Sequence, residues 1–469
     1  MKILNTLSGE KEEFEPRNGK NVGIFVCGPT VYDFSHIGHI RTYVIFDVIV
    51  KYLRYKGYKV KFLMNITDID DRIIDRAKEE GKSWKEIAQF YGKSFMDDIK
   101  NLNINSVNKF APATDYIKEI IKQVSTLIEK EYAYQIEDGV YFDISKFEGY
   151  GKLAKRTVEQ AEDAISRIDE SVKKRNRGDF VLWRASDSDK PSWDSPWGKG
   201  RPGWHIEDTA ITEKRLGQQY DIHGGGQDLI FPHHEAEITQ QEAASGKKPF
   251  VRYWLHSGLV KINGQKMSKS LKNTITIQNA LKEYSPESLR FMAINAHYRS
   301  AVEYRNDLIK QSEAGIQRIR ELINKLELIK NSSSFAKATK GKEEVKIDEI
   351  IKNTKIDFEA KMDDDFNTPE AMAILFNFIR LINNFIDDQK LDRKSAEKTL
   401  NFLKKIDEVL GIMPKNESEI PKEVFSLAEN REKLRKEKAW IEADKVRGQI
   451  QSLGYFIEDT PYGPLVKKG

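Results

Sequence analysis

The most constraining feature is a strand, a break, a helix and a second strand between Val22 and Met64. Val22 to Cys27 (VGIFVC) is a short, apolar, β-branched run, the pattern of a buried strand. Gly28-Pro29-Thr30 ends it. A helical periodicity then runs from about Gly38 to Tyr55 and stops before Gly57. Val60 to Met64 (VKFLM) reads as the next strand. Such a βαβ unit makes its strands parallel, and parallel strands need helices on both faces. The expectation is an α/β fold with a doubly wound sheet, whose ligands gather at the strands' carboxyl ends.

The pattern further along is mixed. Ser83-Trp84-Lys85-Glu86 is a capping box opening a helix toward Leu102. Thr114 is expected to cap another helix running to about Tyr132. Val140–Ile144 and Phe180–Trp183 read as strands, with the charged stretch Glu159–Asn176 between them. This middle region looks like an insertion between two halves of the sheet. Tyr220–His223 resumes the strand pattern and leads into Gly224-Gly225-Gly226. After about Ile275 the chain turns almost wholly helical, broken by a polar, lysine-rich stretch from Asn331 to Lys342 and again at Pro414–Pro421. The end from Glu423 reads as one or two charged helices and a short hairpin.

Composition excludes several classes. At 469 residues the chain is too long for one ordinary core. One cysteine, Cys27, forbids an internal disulfide framework. No apolar run approaches the ~18 residues of a membrane span, and the N-terminus lacks a signal-peptide pattern. These features set a cytoplasmic expectation. The net charge of +4, from 77 basic and 73 acidic residues, means that any polyanion site must rest on local clustering.

Two short motifs carry chemistry. His36-Ile37-Gly38-His39 falls at the start of the first helix, just past a strand end. Imidazoles at i and i+3 share a helical face, and a helix N-terminus favours phosphate. Gly38 leaves room for a nucleotide against the backbone. Histidines there can donate hydrogen bonds to a phosphoryl group as charge builds on it. Lys266-Met267-Ser268-Lys269-Ser270 places two lysines three apart beyond a turn-like stretch, a setting that suits a triphosphate or pyrophosphate leaving group. Taken singly, either motif also fits an ordinary capped helix or solvated loop, and one cysteine in a strand also fits a small core residue.

Together, HIGH near a first strand and KMSKS more than two hundred residues later resemble the class I aminoacyl-tRNA synthetases. Within that class the chain is similar to the cysteinyl-tRNA synthetase family. The matching segments are CGPTVYD (Cys27–Asp33), NITDIDD (Asn65–Asp71), PGWHIE (Pro202–Glu207), FPHHE (Phe231–Glu235), DDDFNTP (Asp363–Pro369) and EDTP (Glu458–Pro461), in order along nearly the whole chain.

The resemblance implies a Rossmann-like catalytic domain, split by a connective insertion, then an α-helical bundle and a small C-terminal anticodon-binding domain. The halves of the catalytic domain are expected over 1–115 and 201–275, the second with the KMSKS loop, and the insertion over 116–200. A helical stem-contact region follows over 276–330, a flexible linker over 331–346, a bundle over 347–415 and the anticodon-binding domain over 416–469. It also implies one Zn²⁺ per chain on Cys27, His233 and Glu237, with Asp208 as a fourth candidate that either ligates the ion or supports its ligands; His233 and Glu237 lie at i and i+4. Asp208 departs from the more familiar family pattern, which has a second cysteine there. By the same resemblance Gly28, Thr67, Trp204 and Asp228 line the amino acid. His36, Gly38, His39, Gly225 and Lys269 meet ATP with Mg²⁺. His36, His39, Lys266 and Lys269 are the catalytic set. Arg435, Trp440, Asp444 and Asp459 read the anticodon. The implied partners are ATP, L-cysteine and tRNA(Cys), with no membrane and a monomeric chain. A relative that spends the same adenylate on an amide with an aminosugar lacks the anticodon domain, and the chain after Ile347 argues against that reading. So do the intact HIGH and KMSKS motifs against a catalytically silent nucleic-acid-binding module.

Overall fold

Why the parallel unit forms is visible in its burial. The strand Asn21–Val26 (β1) has Ile24, Phe25 and Val26 fully buried, and the helix Ile37–Tyr55 (α1) buries side chains around most of its surface. The computed structural model describes residues 1–156, 173–186, 190–262, 264–267, 274–331, 345–414, 421–460 and 463–468. Most of the charged stretch Glu159–Asn176, most of the linker 331–346, and Lys269 lie outside these residues. The chain divides into two compact units: Met1–Asn306 with Asp363–Thr368, and Asp307–Met362 with Pro369–Gly469.

In the first unit, β1 pairs in parallel with Lys59–Ile66 (β2), which pairs with Lys109–Pro112 (β3). The helix Ile206–Leu216 (α2) precedes the strand Tyr220–Gly226 (β4), which pairs with the other side of β1. The helix Glu235–Ser245 (α3) and the strand Val251–Ser257 (β5) complete a five-stranded parallel sheet in the order β5-β4-β1-β2-β3. The order reverses between β1 and β4, so a crevice opens at their carboxyl ends, the usual ligand position in such a sheet. The register sets Val26 beside Gly224, so Cys27 and Gly225 both follow at that end.

The insertion forms its own four-stranded antiparallel sheet from Ala133–Ile136, Gly139–Phe142, Phe180–Ala185 and Gly200–Pro202. Val140, Phe142, Phe180 and Leu182 share a core with Ile206 and Ala210 of α2 and Ala236 of α3. Each such buried side chain contributes roughly 1.5–3 kcal/mol. That packing holds the two helices that carry Asp208 and Glu237.

One expected cap is corrected. The fourth helix of the sequence begins at Ile117, and no side chain caps it. Thr114 lies in a short 3₁₀ turn, where its amide and hydroxyl donate to Asp68 at 3.0 and 2.6 Å. A tertiary bond to the carboxylate after β2, 46 residues back in the sequence, takes the hydroxyl that capping would need.

The second unit is helical. It holds Asn306–Asn331 (α4, from residue 307 on), Ile347–Asp363 (α5, to Met362) and Thr368–Asp387 (α6, from Pro369), then Arg393–Leu410 (α7). Lys422–Lys436 (α8) and Trp440–Ser452 (α9) then pack with the hairpin Tyr455–Thr460 and Gly463–Lys468 around Val424, Ala428, Val446, Ile450, Ile457 and Val466. Among the described residues no helix is long and apolar enough to cross a membrane.

Candidate active site

At the sheet's switch point lies a cavity of about 310 Å³. On its walls the structure brings together Cys27, Gly28, His36, Gly38, His39, Thr67, Trp204, Asp208, Asp228 and His233. Gly28 must lack a side chain: a Cβ there would sit 1.8 Å from the Asn65 carbonyl oxygen, while its amide donates to Asn65 Oδ1 at 2.5 Å. Gly226, of the glycine run ending β4, also lines the cavity, whereas Gly225 packs against His234.

The start of α1 explains what its histidines can do. His36 is the N-cap, and its Nδ1 accepts from the Gly38 amide at 3.2 Å. The His36 amide in turn donates to His39 Nδ1 at 3.1 Å. The rings stack with centroids 4.0 Å apart. Because both Nδ1 atoms accept from the backbone, each neutral ring carries its proton on Nε2 and is a donor there. A Cβ on Gly38 would lie 2.9 Å from the His36 ring, so the motif's glycine is a steric requirement. Ile37 donates to Ile275 O at 3.0 Å and Ile277 to Ser35 O at 2.9 Å, which ties the helix start to the chain just beyond KMSKS. Within KMSKS, Lys266 lies in the short strand Gln265–Lys266, paired with Val260–Ile262, and Met267 reaches the cavity wall.

Opposite stands a buried cluster of acids, imidazoles and one thiol. His233 Nε2 lies 2.9 Å from Asp208 Oδ2 and 3.2 Å from Glu237 Oε1. Cys27 Sγ lies 3.2 Å from His234 Nε2, 3.4 Å from His223 Nε2 and 3.8 Å from Glu237 Oε1. His205 and His233 share a hydrogen bond through their Nδ1 atoms at 2.7 Å. Trp204 lies over His205, ring centroids 4.1 Å apart. Thr67 donates its hydroxyl to Glu207, another buried carboxylate.

Electrostatically this cluster calls for a cation. Burial, and then the charges of Glu237 and Asp208, push the Cys27 thiol well up. Burial and Asp208 push Glu237 up as well. Burial drives His205, His223 and His234 well down and His256 to about 3, so these imidazoles are neutral, the ligating form. Asp208 Oδ1 and Glu237 Oε2 are buried with no hydrogen-bond partner among the described residues. An unsatisfied buried carboxylate oxygen is costly, and a divalent ion among thiol, imidazole and carboxylate donors removes that cost. The residues therefore fit a zinc-class metal. Two donor groups qualify: Cys27 with Asp208, His233 and Glu237, and Cys27 with His223, His234 and Glu237.

Known proteins resemble this chain in sequence and in fold. The family described as "tRNA synthetases class I (C) catalytic domain" matches residues 13–314, and the DALR domain family matches 357–414. The chain is 45% identical to the cysteine–tRNA ligase of Thermodesulfovibrio yellowstonii, over 98% of each chain. It is 44% identical to that of Thermoplasma volcanium, again over 98% of each. The chain belongs to the cysteine–tRNA ligase family. Among solved structures, methionyl-tRNA synthetase of Mycobacterium tuberculosis with methionyl-adenylate has the same fold, with a TM-score of 0.59 at 15% identity, covering 84% of this chain and 90% of that one. The Agrobacterium radiobacter LeuRS–tRNA–LeuAMS complex gives 0.61 at 11%, over 85% and 86%.

In this cysteine–tRNA ligase the four C-terminal candidates lie on α8, α9 and the hairpin. Arg435 pairs with Asp459, and its guanidinium carbon is 6.0 Å from the centre of the Trp440 ring, which is 57% exposed. Asp444, one turn beyond Trp440, is exposed. Sequence reasoning missed Arg431, which is buried and holds Asp459 through both carboxylate oxygens at 2.5 and 3.1 Å. Its i, i+4 spacing to Arg435 was the available signal. It also left Glu207, His205, His223, His234 and His256 without roles. Five of the chain's eight histidines gather in the buried cluster, a concentration that no spacing in the sequence announces.

Proposed function

We propose that this cysteine–tRNA ligase selects its amino acid in the cavity between Cys27 and the HIGH histidines, and activates it there. The single observation behind this is the shared cavity, lined by His36, Gly38 and His39 together with Cys27, Asp208 and His233. Zinc held by Cys27, Asp208, His233 and Glu237 would supply affinity for sulfur, taking cysteine's thiol as thiolate and leaving serine's hydroxyl a poor competitor. Such discrimination exceeds the ~1–3 kcal/mol that a packing difference offers, so no editing domain is required.

The chain's own residues do the rest. Asp228 and Thr67 orient the amino acid's polar ends beside Gly28, and Trp204 closes the side-chain space. The substrate carboxylate attacks the α-phosphorus of ATP, the bond to the β-phosphate oxygen breaks, and pyrophosphate leaves. The Nε2–H groups of His36 and His39 stabilise the charge that builds on the phosphoryl oxygens. Gly38 and Gly226, at the end of the glycine run, admit the nucleotide, and Lys266 and Lys269 hold the leaving pyrophosphate with Mg²⁺. A hydroxyl of the terminal adenosine of tRNA(Cys) then attacks the activated carbonyl, releasing AMP. Arg435, Trp440, Asp444 and Asp459 read the anticodon; a guanidinium beside an exposed indole suits unstacked bases. The buried free thiol fits a reducing, cytoplasmic setting.

The test is charging of a tRNA transcript bearing the GCA anticodon, with cysteine or serine, with and without a zinc chelator. Cysteine alone should be transferred, and chelation should abolish transfer. Equal charging with serine, or full activity after zinc removal confirmed by elemental analysis, would sink the selection mechanism.

A further inference from the structure

The opposite end of the parallel sheet carries a second cavity, of about 770 Å³. It opens where β1, β2 and β4 begin, at Asn21, Lys59 and Tyr220. Cys27 lies beyond the other end of β1, roughly 20 Å away at ~3.3 Å per residue. The volume falls within the range of small-molecule sites, roughly 300–1,000 Å³. Arg17, Arg54, Lys59, Lys61 and Arg215 line it, and Asp221 is the only carboxylate among its described lining residues. We propose that this cavity binds a di- or triphosphate group, free or carried on a nucleotide, at a site separate from the catalytic one.

Charge decides the ligand class. Helices that run against parallel strands bring their carboxyl ends to the strands' starts, and such ends attract cations. Arg54 lies in the last turn of α1 and Arg215 in the last turn of α2. Each helix end carries about half a negative charge, so the two offset about one cation. Asp221 offsets another. It is already engaged by the backbone: Oδ1 accepts from the Arg17 amide at 2.6 Å and Oδ2 from the Gly23 amide at 2.8 Å. Among the described residues none of the five cations forms an ion pair with a carboxylate. About three positive charges are therefore left over. One phosphate brings at most about two negative charges, and two linked phosphates bring roughly three.

Neutral oxygens hold the cations in place without taking their charge. Arg17 donates from Nε to the Tyr220 carbonyl at 3.2 Å and from Nη2 to the Pro249 carbonyl at 3.0 Å. Arg54 Nη2 donates to Ser106 O at 2.8 Å and to Asn108 Oδ1 at 2.9 Å. Arg215 Nε donates to the Tyr116 hydroxyl at 2.6 Å, and Lys61 donates to the Arg215 carbonyl. A guanidinium has five N–H groups, so each arginine keeps donors for an anion after these bonds. Side chains fixed in advance lose little freedom when a ligand arrives. Tyr58 also lines the cavity, its ring set edge-on to Phe14 with centroids 5.4 Å apart. Its face offers a stacking surface for a base.

Equilibrium dialysis of the full-length enzyme with labelled pyrophosphate at low salt tests this. The wild type should bind two per chain, one at the catalytic site and one here. Lys59→Gln/Lys61→Gln should weaken the second by at least about tenfold, with Tm unchanged and ATP–pyrophosphate exchange within about twofold. Arg17→Gln, a single change at the rim, should weaken it about threefold. Amide hydrogen exchange over residues 15–23 should slow with pyrophosphate in the wild type and not in the double variant. A parallel run with ADP separates the two sources. Tighter second-site binding of ADP than of pyrophosphate identifies a nucleotide, and weaker binding a free polyphosphate. Pyrophosphate stoichiometry and affinity unchanged in both variants would overturn the proposal. So would sulfate binding here as tightly as pyrophosphate. Weaker tRNA binding in the double variant, with pyrophosphate binding unchanged, would assign these cations to RNA and overturn it too.

Discussion

Two polar clusters stand in the two units, built from similar charges and opposite in physics. Around Cys27, three carboxylates, five imidazoles and a thiol are enclosed, and among the described residues no arginine or lysine contacts them. Around Asp459, two arginines overcompensate one carboxylate at a surface. The hydrogen bond from Arg431, with that from Arg435, holds Asp459 below the ordinary carboxylate range. The first cluster is short of positive charge, and its donors fit a divalent ion. The second has positive charge to spare and an exposed indole beside it, which is how a protein meets an anionic, base-bearing partner. Burial makes the first set all-or-none, and exposure makes the second graded.

That contrast can be broken by single substitutions. Cys27→Ser should lower cysteine-dependent ATP–pyrophosphate exchange by about 10³-fold, roughly 4 kcal/mol, with loss of bound zinc and no gain of serine activation. A variant with normal zinc and only a tenfold loss would mean that burial does not make the cluster cooperative. Asp208→Ala should raise the KM for cysteine about 10–100-fold while leaving the KM for ATP within about twofold, measured by the same exchange assay. Unchanged zinc content and cysteine KM would remove Asp208 from the site. Trp440→Ala should act only on the other side of the comparison. It should raise the KM for tRNA about tenfold, from the ~1–3 kcal/mol of a base stack, and leave ATP–pyrophosphate exchange untouched. An effect on exchange would show that the exposed cluster is not confined to tRNA recognition.

How much of each cluster was legible follows from the same physics. Cys27 and the HIGH histidines were readable because they flank a strand and a helix whose apolar patterns are unambiguous, and the parallel sheet then fixes where such residues gather. His233 and Glu237 were readable as an i, i+4 pair. Their neighbour His234 was not, because adjacent residues of a regular helix point about 100° apart. Here both imidazoles close the five-residue turn Ile230–His234 ahead of α3, one facing Asp208 and the other Cys27. His223 lay hidden in a strand that is buried throughout, where alternation carries no signal. Glu207 gave none, since its partner Thr67 is 140 residues away. On the exposed side, Arg435 and Trp440 were legible from resemblance alone, and Arg431 was overlooked because a charged residue on a charged helix reads as solvent-facing. Only the fold shows that it is buried beneath Asp459.

Asp98 separates burial from function. It sits on the helix Trp84–Asn101, 2% exposed, and its Oδ2 has no hydrogen-bond partner among the described residues. Burial first, and the charge of Asp97 second, raise it to about 7. Among the described residues no imidazole or thiol contacts it, so nothing converts its cost into chemistry. Its unfolded value is near ~3.9, so the folded state holds the proton more tightly. The stability tied to that proton is fully present below pH ~4, declines as pH rises toward 7, and is lost above it. Asp98→Asn keeps the shape and abolishes the ionisation. Thermal unfolding at pH 8 should show the variant more stable by about 1–2 kcal/mol after allowance for solvent screening, a Tm gain of roughly 2–4 °C. The gain should shrink steadily as pH falls toward 4, with exchange activity unchanged. A variant less stable at pH 8 would mean that the Asp98 carboxylate has a stabilising partner when ionised. The difference between the two clusters would then rest on how each charge is compensated, and burial would not be the variable that matters.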